Sequence, residues 1–158
     1  MTQLLNSPLE VGLRVVALLT ALYPERADLA RIILLDHVVV HSSEFDGASS
    51  LHPKIPGLVG ELGVKRTLIR QGIALVGARG LIVRDLTAAG IYYRASEDAR
   101  PFLDSMDAMY LAGLRSRCEW AANTYGGLAD GDIRARLGVV FGSWAEEFEQ
   151  IDGQDEHG

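Results

Sequence analysis

The chain has 158 residues, of which 48% are hydrophobic and 23% charged, and its formal net charge is -6. These proportions are typical of one soluble globular domain and exclude the disordered and fibrous classes. The acidic balance argues against tight DNA binding by the chain alone, because DNA-binding domains usually carry a basic excess that neutralises phosphates.

The sequence also indicates the compartment. Cys118 is the only cysteine, so no intrachain disulfide can form and a reducing environment is expected. The N-terminus lacks the basic segment of a signal peptide, and no apolar run approaches the roughly 18 residues that a membrane-spanning helix needs. We therefore expect a cytoplasmic protein without a membrane partner.

Three helices are predicted before residue 80. Ser7 can cap free amides and Pro8 suits the first helical position, so a helix begins there and ends before Pro24. Apolar residues recur at helical spacing from about Ala27 to His41 and again from Leu58 to Ala78. Between the second and third helices lies an irregular connection rich in Ser, Gly, Asp, His and Pro.

A β-hairpin follows the third helix. Two β-prone runs, 81–84 and 91–94, flank the turn residues 85–90. Three helices followed by a hairpin is the order of a winged helix. The predicted fold is therefore mainly α with a small β-hairpin, with a winged-helix-like core in residues 1–95.

Residues 96–151 predict a C-terminal helical extension. Ser96, Glu97 and Asp98 suit a helix start. A longer helix then runs from about 104 to 125, with its inward positions predicted at Met109, Leu114, Cys118 and Ala121. Residues 152–158 are expected to form a frayed tail.

An aromatic stripe distinguishes the end of this extension. It is formed by Phe141, Trp144 and Phe148 on an amphipathic segment. These side chains must bury against residues 1–95 or against a partner chain, and the sequence leaves both alternatives open. They are the candidate partner-docking residues.

The sequence contains none of three common enzyme patterns. There is no phosphate-binding loop, no Gly-x-Ser-x-Gly elbow and no cysteine pair. We therefore expect a protein that is not an enzyme, with no catalytic residues and no cofactor.

Histidines raise the question of a metal. His37 and His41 lie one helical turn apart, a spacing used by helical zinc sites, and His52 lies in the following loop. The catalytic glutamate of the zincin pattern is missing, however. We favour polar packing of these histidines and predict no metal site.

One group of basic residues stands where a winged helix would meet a DNA backbone. It is a candidate contact for DNA or for an acidic partner. The alternative is that its members pair with nearby acids such as Glu61. The group consists of Lys65, Arg66, Arg70, Arg79, Arg84 and Arg94.

Several short motifs carry a family resemblance. They include Asn-Ser-Pro at 6–8, Leu-Asp-His at 35–37, Ser-Leu-His-Pro at 50–53 and Gly-Ile-Tyr-Tyr-Arg at 90–94. With these motifs, roughly residues 6–125 resemble the middle component of bacterial ABC-three-component systems.

The resemblance implies a function. Members of this family are encoded between an SMC-type ABC ATPase and a variable effector, an arrangement that includes the Lamassu antiphage systems. It implies a non-catalytic adaptor whose partners are an SMC-like coiled-coil ATPase and an effector such as a nuclease, with DNA reached through the complex. The alternatives are a stand-alone winged-helix transcription regulator and, more distantly, a metal-dependent enzyme.

Overall fold

The computed structural model describes residues 7–45, 47–51 and 58–139. Within them the chain is mostly helical with one small antiparallel sheet, so the predicted class, mainly α with a small β-hairpin, is confirmed. The elements are α1 (Pro8–Leu22), β1 (Ala27–Asp28), α2 (Leu29–Val40), a 3-10 helix (Ser42–Phe45), α3 (Leu58–Ala78), β2 (Ile82–Thr87), β3 (Gly90–Ala95), α4 (Ala99–Asp104), α5 (Met109–Tyr125) and α6 (130–139).

Helix α1 is the centre of the fold. Its start is as predicted, because the Ser7 hydroxyl accepts a hydrogen bond from the Glu10 amide at 3.2 Å and Pro8 follows the cap. The helix is buried along most of its length, and it contacts α2, α3, α4, α5 and β3. Elements from both ends of the described chain therefore pack on one helix.

The sheet has the strand order β1-β3-β2, with both pairs antiparallel. The hairpin is confirmed, but residues 85–87 belong to β2 and not to the turn, so the turn is shorter than predicted. Gly90 follows the turn with a positive φ of 135°, a conformation that glycine tolerates best. The prediction that α2 begins at Ala27 is wrong. Ala27 instead pairs with Tyr93 of β3, and the Asp28 side chain caps the helix by accepting from the Arg31 amide at 2.9 Å.

Helices α1 and α3 touch backbone to backbone. A Cβ atom added at Gly72 would lie 2.8 Å from the Gly12 nitrogen, closer than a real Cβ approaches. Gly72 lowers the intrinsic helix propensity of α3, but a larger residue would force the two helices apart. The glycine is therefore explained by packing.

Helix α5 packs on α1 and α2. Its buried positions are spaced by three or four residues, as one helical face requires. Met109 was predicted to point inward, but it is 94% exposed. The chain is not helical between α4 and α5, and Met109 lies two positions before Leu111, on the opposite side of the helix. The buried face consists of Leu111, Leu114, Cys118, Ala121 and Tyr125.

The described C-terminal part shares a hydrophobic core with the N-terminal part. Ile133 and Leu137 of α6 belong to the same buried cluster as α1 and α2. Arg31 of α2 also donates to the Asp130 carboxylate and to the Gly126 carbonyl, both at 2.7 Å. The division into units 1–95 and 96–151 stays a prediction.

Some predicted features lie outside the described residues. They are His52, the tail 152–158 and the aromatic stripe Phe141, Trp144 and Phe148. In the part of the chain that is described, no helix combines the length and apolar character that crossing a bilayer requires.

Candidate functional site

The six predicted basic residues do not form one surface. Lys65 was predicted as a candidate contact for DNA or a partner, but only 6% of it is exposed. Its Nζ lies 2.7 Å from Oδ2 of Asp36. The reason is the helical stripe: Lys65 lies four residues before Ile69 on the side of α3 that is buried.

Lys65 belongs to a buried charge cluster that joins α1, α2 and α3. At its centre, Asp36 of α2 accepts from Nε of Arg14 at 2.9 Å and from a terminal guanidinium nitrogen at 3.2 Å. Arg14 also pairs with Glu10, which accepts from the Tyr110 hydroxyl of α5. We call Glu10, Arg14, Asp36 and Lys65 the buried charge cluster, and the partly exposed Tyr110 connects it to α5.

The cluster keeps its central charges fixed. Burial alone would raise the pKa of Asp36, but Arg14 and Lys65 outweigh burial and hold that pKa well below its usual range. Burial also opposes the charge on Arg14, yet Asp36 and Glu10 raise the pKa of the guanidinium above its ordinary value. Asp36 and Arg14 therefore stay ionised near neutral pH, and their ion pair joins α1 to α2.

Two histidines are buried beside the cluster. The rings of His37 and His41 are stacked, with centroids 5.9 Å apart and planes 18° apart. Burial and the positive charge of Lys65 lower the pKa of His37 to about 2, so the ring is neutral at physiological pH. No group of three or more His, Cys, Asp or Glu side chains in the described segments is placed to hold a metal ion.

The connection after α2 is tied to α5. The Ser42 hydroxyl donates to the Ala48 carbonyl at 2.7 Å. Arg117 of α5 donates two hydrogen bonds to the Ser49 carbonyl, at 2.7 and 2.9 Å. Gly47 lies against Trp120, leaving no space for a Cβ atom. The described part of this loop is therefore a structural element that docks on α5.

A groove of about 540 Å³ opens between α3 and the hairpin. Alternation along the strands places Arg84 opposite Tyr93 on one face of the hairpin, and this face forms one wall. Helix α3 forms the other. The lining consists of Arg70, Ile73, Ala74, Gly77, Ile82, Arg84, Ile91 and Tyr93, and we call it the α3–hairpin groove.

Two predicted basic residues meet at this groove. Arg70 and Arg84 are both exposed, and neither has a carboxylate within 4 Å among the described residues. Their positive charges are therefore available to a ligand or partner.

The other three predicted residues lie elsewhere. Arg94 is on the opposite face of the hairpin, where its Nε lies 3.2 Å from Oδ2 of Asp85. Arg79 is exposed in the turn after α3, and Arg66 lines a separate depression with Arg134. Of the six predicted residues, only Arg70 and Arg84 are shown to line the same groove.

The apolar part of the groove was missed from the sequence. Ile91 lines it and is 43% exposed, and directly opposite Ile91 in the hairpin lies Leu86, which is 70% exposed. The available signal was the period of two along β2, which places Leu86 on the same face as Ile82 and Arg84. An apolar strip thus continues from the groove to the hairpin turn.

Fold and groove together define a small helical protein whose α3–hairpin groove is both basic and apolar. The chain matches the family described as ABC-three component (ABC-3C) system Middle Component 2 over residues 4–147, and it belongs to that family. No curated protein and no solved structure matches it. The resemblance to the middle components is thereby confirmed, while the Lamassu assignment stays a prediction.

Proposed function

We propose that the chain is a non-catalytic adaptor that joins an SMC-like ABC ATPase to an effector in a cytoplasmic antiphage complex. The family match over residues 4–147 carries this proposal, because a middle component works with the other components of its system. Protein partners are therefore its natural ligands, and an effector such as a nuclease would supply the chemistry.

The interior suits an adaptor. The buried charge cluster and Tyr110 connect α1, α2, α3 and α5 through side chains, and removing one member of a buried ion pair costs about 3 to 5 kcal/mol. Such a scaffold holds its outer surfaces in fixed positions. A rigid adaptor pays little conformational entropy when two partners bind to it.

The topology supports a winged-helix-like core within the adaptor. Its element order is α1, β1, α2, α3, β2, β3, and β1 pairs with β3. In this arrangement the groove lies between the third helix and the wing. We expect the helical part after residue 95 to provide the second docking surface, through Phe141, Trp144 and Phe148.

The direct test is co-expression of the tagged chain with the two neighbouring genes of its operon. The mass of the material that co-elutes in size exclusion is then measured by light scattering. We expect one assembly that contains the ATPase and the effector, and no assembly with an ATPase from an unrelated system. Recovery of the chain alone would contradict the adaptor proposal.

The defence role needs a separate test. Cells that carry the complete operon are challenged with phage, and plaques are counted against cells from which this gene has been deleted. We expect the deletion to abolish protection. Undiminished protection after the deletion would rule out a required role in defence.

A second candidate is a stand-alone winged-helix transcription regulator. The observation that favours it is the exposure of Arg66 and Arg70 on the third helix, with Arg84 on the hairpin. The net charge of -6 opposes it. Sequence-specific binding of the isolated chain to its own promoter at physiological salt would support the regulator over the adaptor.

A further inference from the structure

We propose that the α3–hairpin groove binds a short acidic segment with apolar side chains, supplied by another protein component of the same system. The inference rests on the proposed function and adds to it the surface and the chemistry of one partner. Three properties of the groove carry it: its size, its exposed apolar strip and its two arginines.

The size of the groove favours a short segment. A volume of about 540 Å³ falls within the range of roughly 300 to 1,000 Å³ that is typical of pockets for a single small ligand. Such a space accommodates a few side chains of a peptide. The globular surface of a partner would need a larger and flatter contact.

The apolar strip requires apolar side chains in the occupant. Ile91 and Leu86 are neighbours across the hairpin and are 43% and 70% exposed. Ile73 and Ile82 also line the groove, and they add further apolar surface to its lining. Burying apolar surface of this kind contributes roughly 25 cal/mol per Å², which a phosphate backbone cannot supply.

The charges require acidic groups in the occupant. Arg70 and Arg84 line the groove from opposite walls, and no described carboxylate neutralises either. A carboxylate bound there would accept paired hydrogen bonds from the guanidinium groups. Two arginines neutralise too few phosphates for tight DNA binding. Each phosphate contact changes the dependence of log K on log salt concentration by only about 0.9, and tight binding requires many such contacts.

The test places a photo-crosslinking amino acid at Leu86 in the full chain and irradiates the assembly purified with the two neighbouring components. The matched control carries it at Leu9 of α1, which is also exposed, at 52%, and lies outside both the groove and the C-terminal helical part. The crosslinked peptide is identified by mass spectrometry. We expect position 86, and not position 9, to capture an acidic, apolar segment of a component.

A charge-reversed variant completes the test. Arg70→Glu with Arg84→Glu should abolish the crosslink from position 86, whereas Arg100→Glu with Arg136→Glu, two exposed arginines outside the groove, should leave it unchanged. Replacement of Arg70 and Arg84 by lysine should preserve it in part, because the charge remains.

The outcomes separate this inference from the proposed function. An assembly that forms normally but gives no component crosslink from position 86 overturns the groove and leaves the adaptor intact. A crosslink from position 86 to duplex DNA added to the assembly makes DNA the occupant and also overturns the inference. Failure of the assembly to form overturns the adaptor proposal and the inference together.

Discussion

The two sides of α3 use charge in opposite ways. On the inner side, Lys65 is buried and paired with Asp36, and Ile69, Gly72 and Val76 pack toward the core. On the outer side, Arg70 is exposed and has no carboxylate partner among the described residues. Lys65 and Arg70 are thus only five positions apart, yet the first joins helices and the second is available to a partner.

This difference shows that a cluster of basic residues in a sequence does not define a binding surface. Lys65 and Arg66 are adjacent, yet one is buried and the other exposed. Their side chains project about 100° apart around a helix. Which residues reach solvent therefore depends on the rotation of the helix against its neighbours.

The largest expected effect comes from the inner side. Asp36→Asn removes the negative charge that pairs with both Arg14 and Lys65 and leaves two buried cations facing one remaining acid. We expect the free energy of unfolding to fall by about 3 to 5 kcal/mol, as measured by urea denaturation. The half-exposed pair of Asp85 with Arg94 is the control, since Asp85→Asn should cost less than about 1 kcal/mol.

Two glycines of α3 should respond in opposite directions. Gly72→Ala introduces a Cβ atom 2.8 Å from the Gly12 backbone, and such overpacking costs about 1 to 3 kcal/mol. Gly63 is exposed, with nothing within 4 Å of an added Cβ, so Gly63→Ala should stabilise the helix by about 1 kcal/mol. Equal shifts of the melting temperature in Gly72→Ala and Gly63→Ala would contradict the division of α3 into a packed inner side and an exposed outer side.

The buried histidine should make stability depend on pH. The pKa of His37 falls from 6.5 to about 2 on folding, so below pH 6.5 the unfolded chain binds a proton that the folded chain refuses. The contribution of the neutral His37 ring to the free energy of unfolding is therefore complete above pH 6.5. It is lost as the pH falls, by about 2 kcal/mol between pH 7 and pH 5. In His37→Gln this part of the loss should disappear. The same pH dependence in both proteins would argue against a neutral buried ring.

The smallest expected effect lies on the outer side. Arg70→Glu with Arg84→Glu should change the free energy of unfolding by less than about 0.5 kcal/mol, because exposed residues without partners contribute little to stability. Lys65→Glu on the same helix is the contrast and should cost more than about 3 kcal/mol, since it places a second carboxylate beside Asp36. Similar costs for the two variants would mean that the outer arginines are structural.

Much of the fold could be predicted from local sequence signals. Ser7 and Pro8 determine the start of α1. The segment in which apolar residues recur about every 3.6 positions coincides with α3 as observed. The strand at Ala27 escaped prediction because two residues carry no periodicity, and only their pairing with β3 makes them a strand. Met109 was misplaced because the break before α5 carries no strong signal.

The candidate site was predicted in part. Arg70 and Arg84 were identified as basic residues of a helix and a hairpin, but their meeting at one groove depends on how α3 packs against β2. The buried charge cluster has a weaker signal: Arg14 and Asp36 interrupt apolar runs of α1 and α2. A charge within a buried stripe indicates a buried partner, yet the identity of that partner depends on tertiary contacts.

The most direct measurement of the role of the outer side is the stability of the assembly on dilution. Assemblies with the wild-type chain and with Arg70→Glu and Arg84→Glu are purified, diluted in series and examined by mass photometry. We predict that the variant dissociates at a concentration about tenfold higher, a difference of about 1.4 kcal/mol. Dissociation of both at the same concentration would contradict a docking role for the α3–hairpin groove.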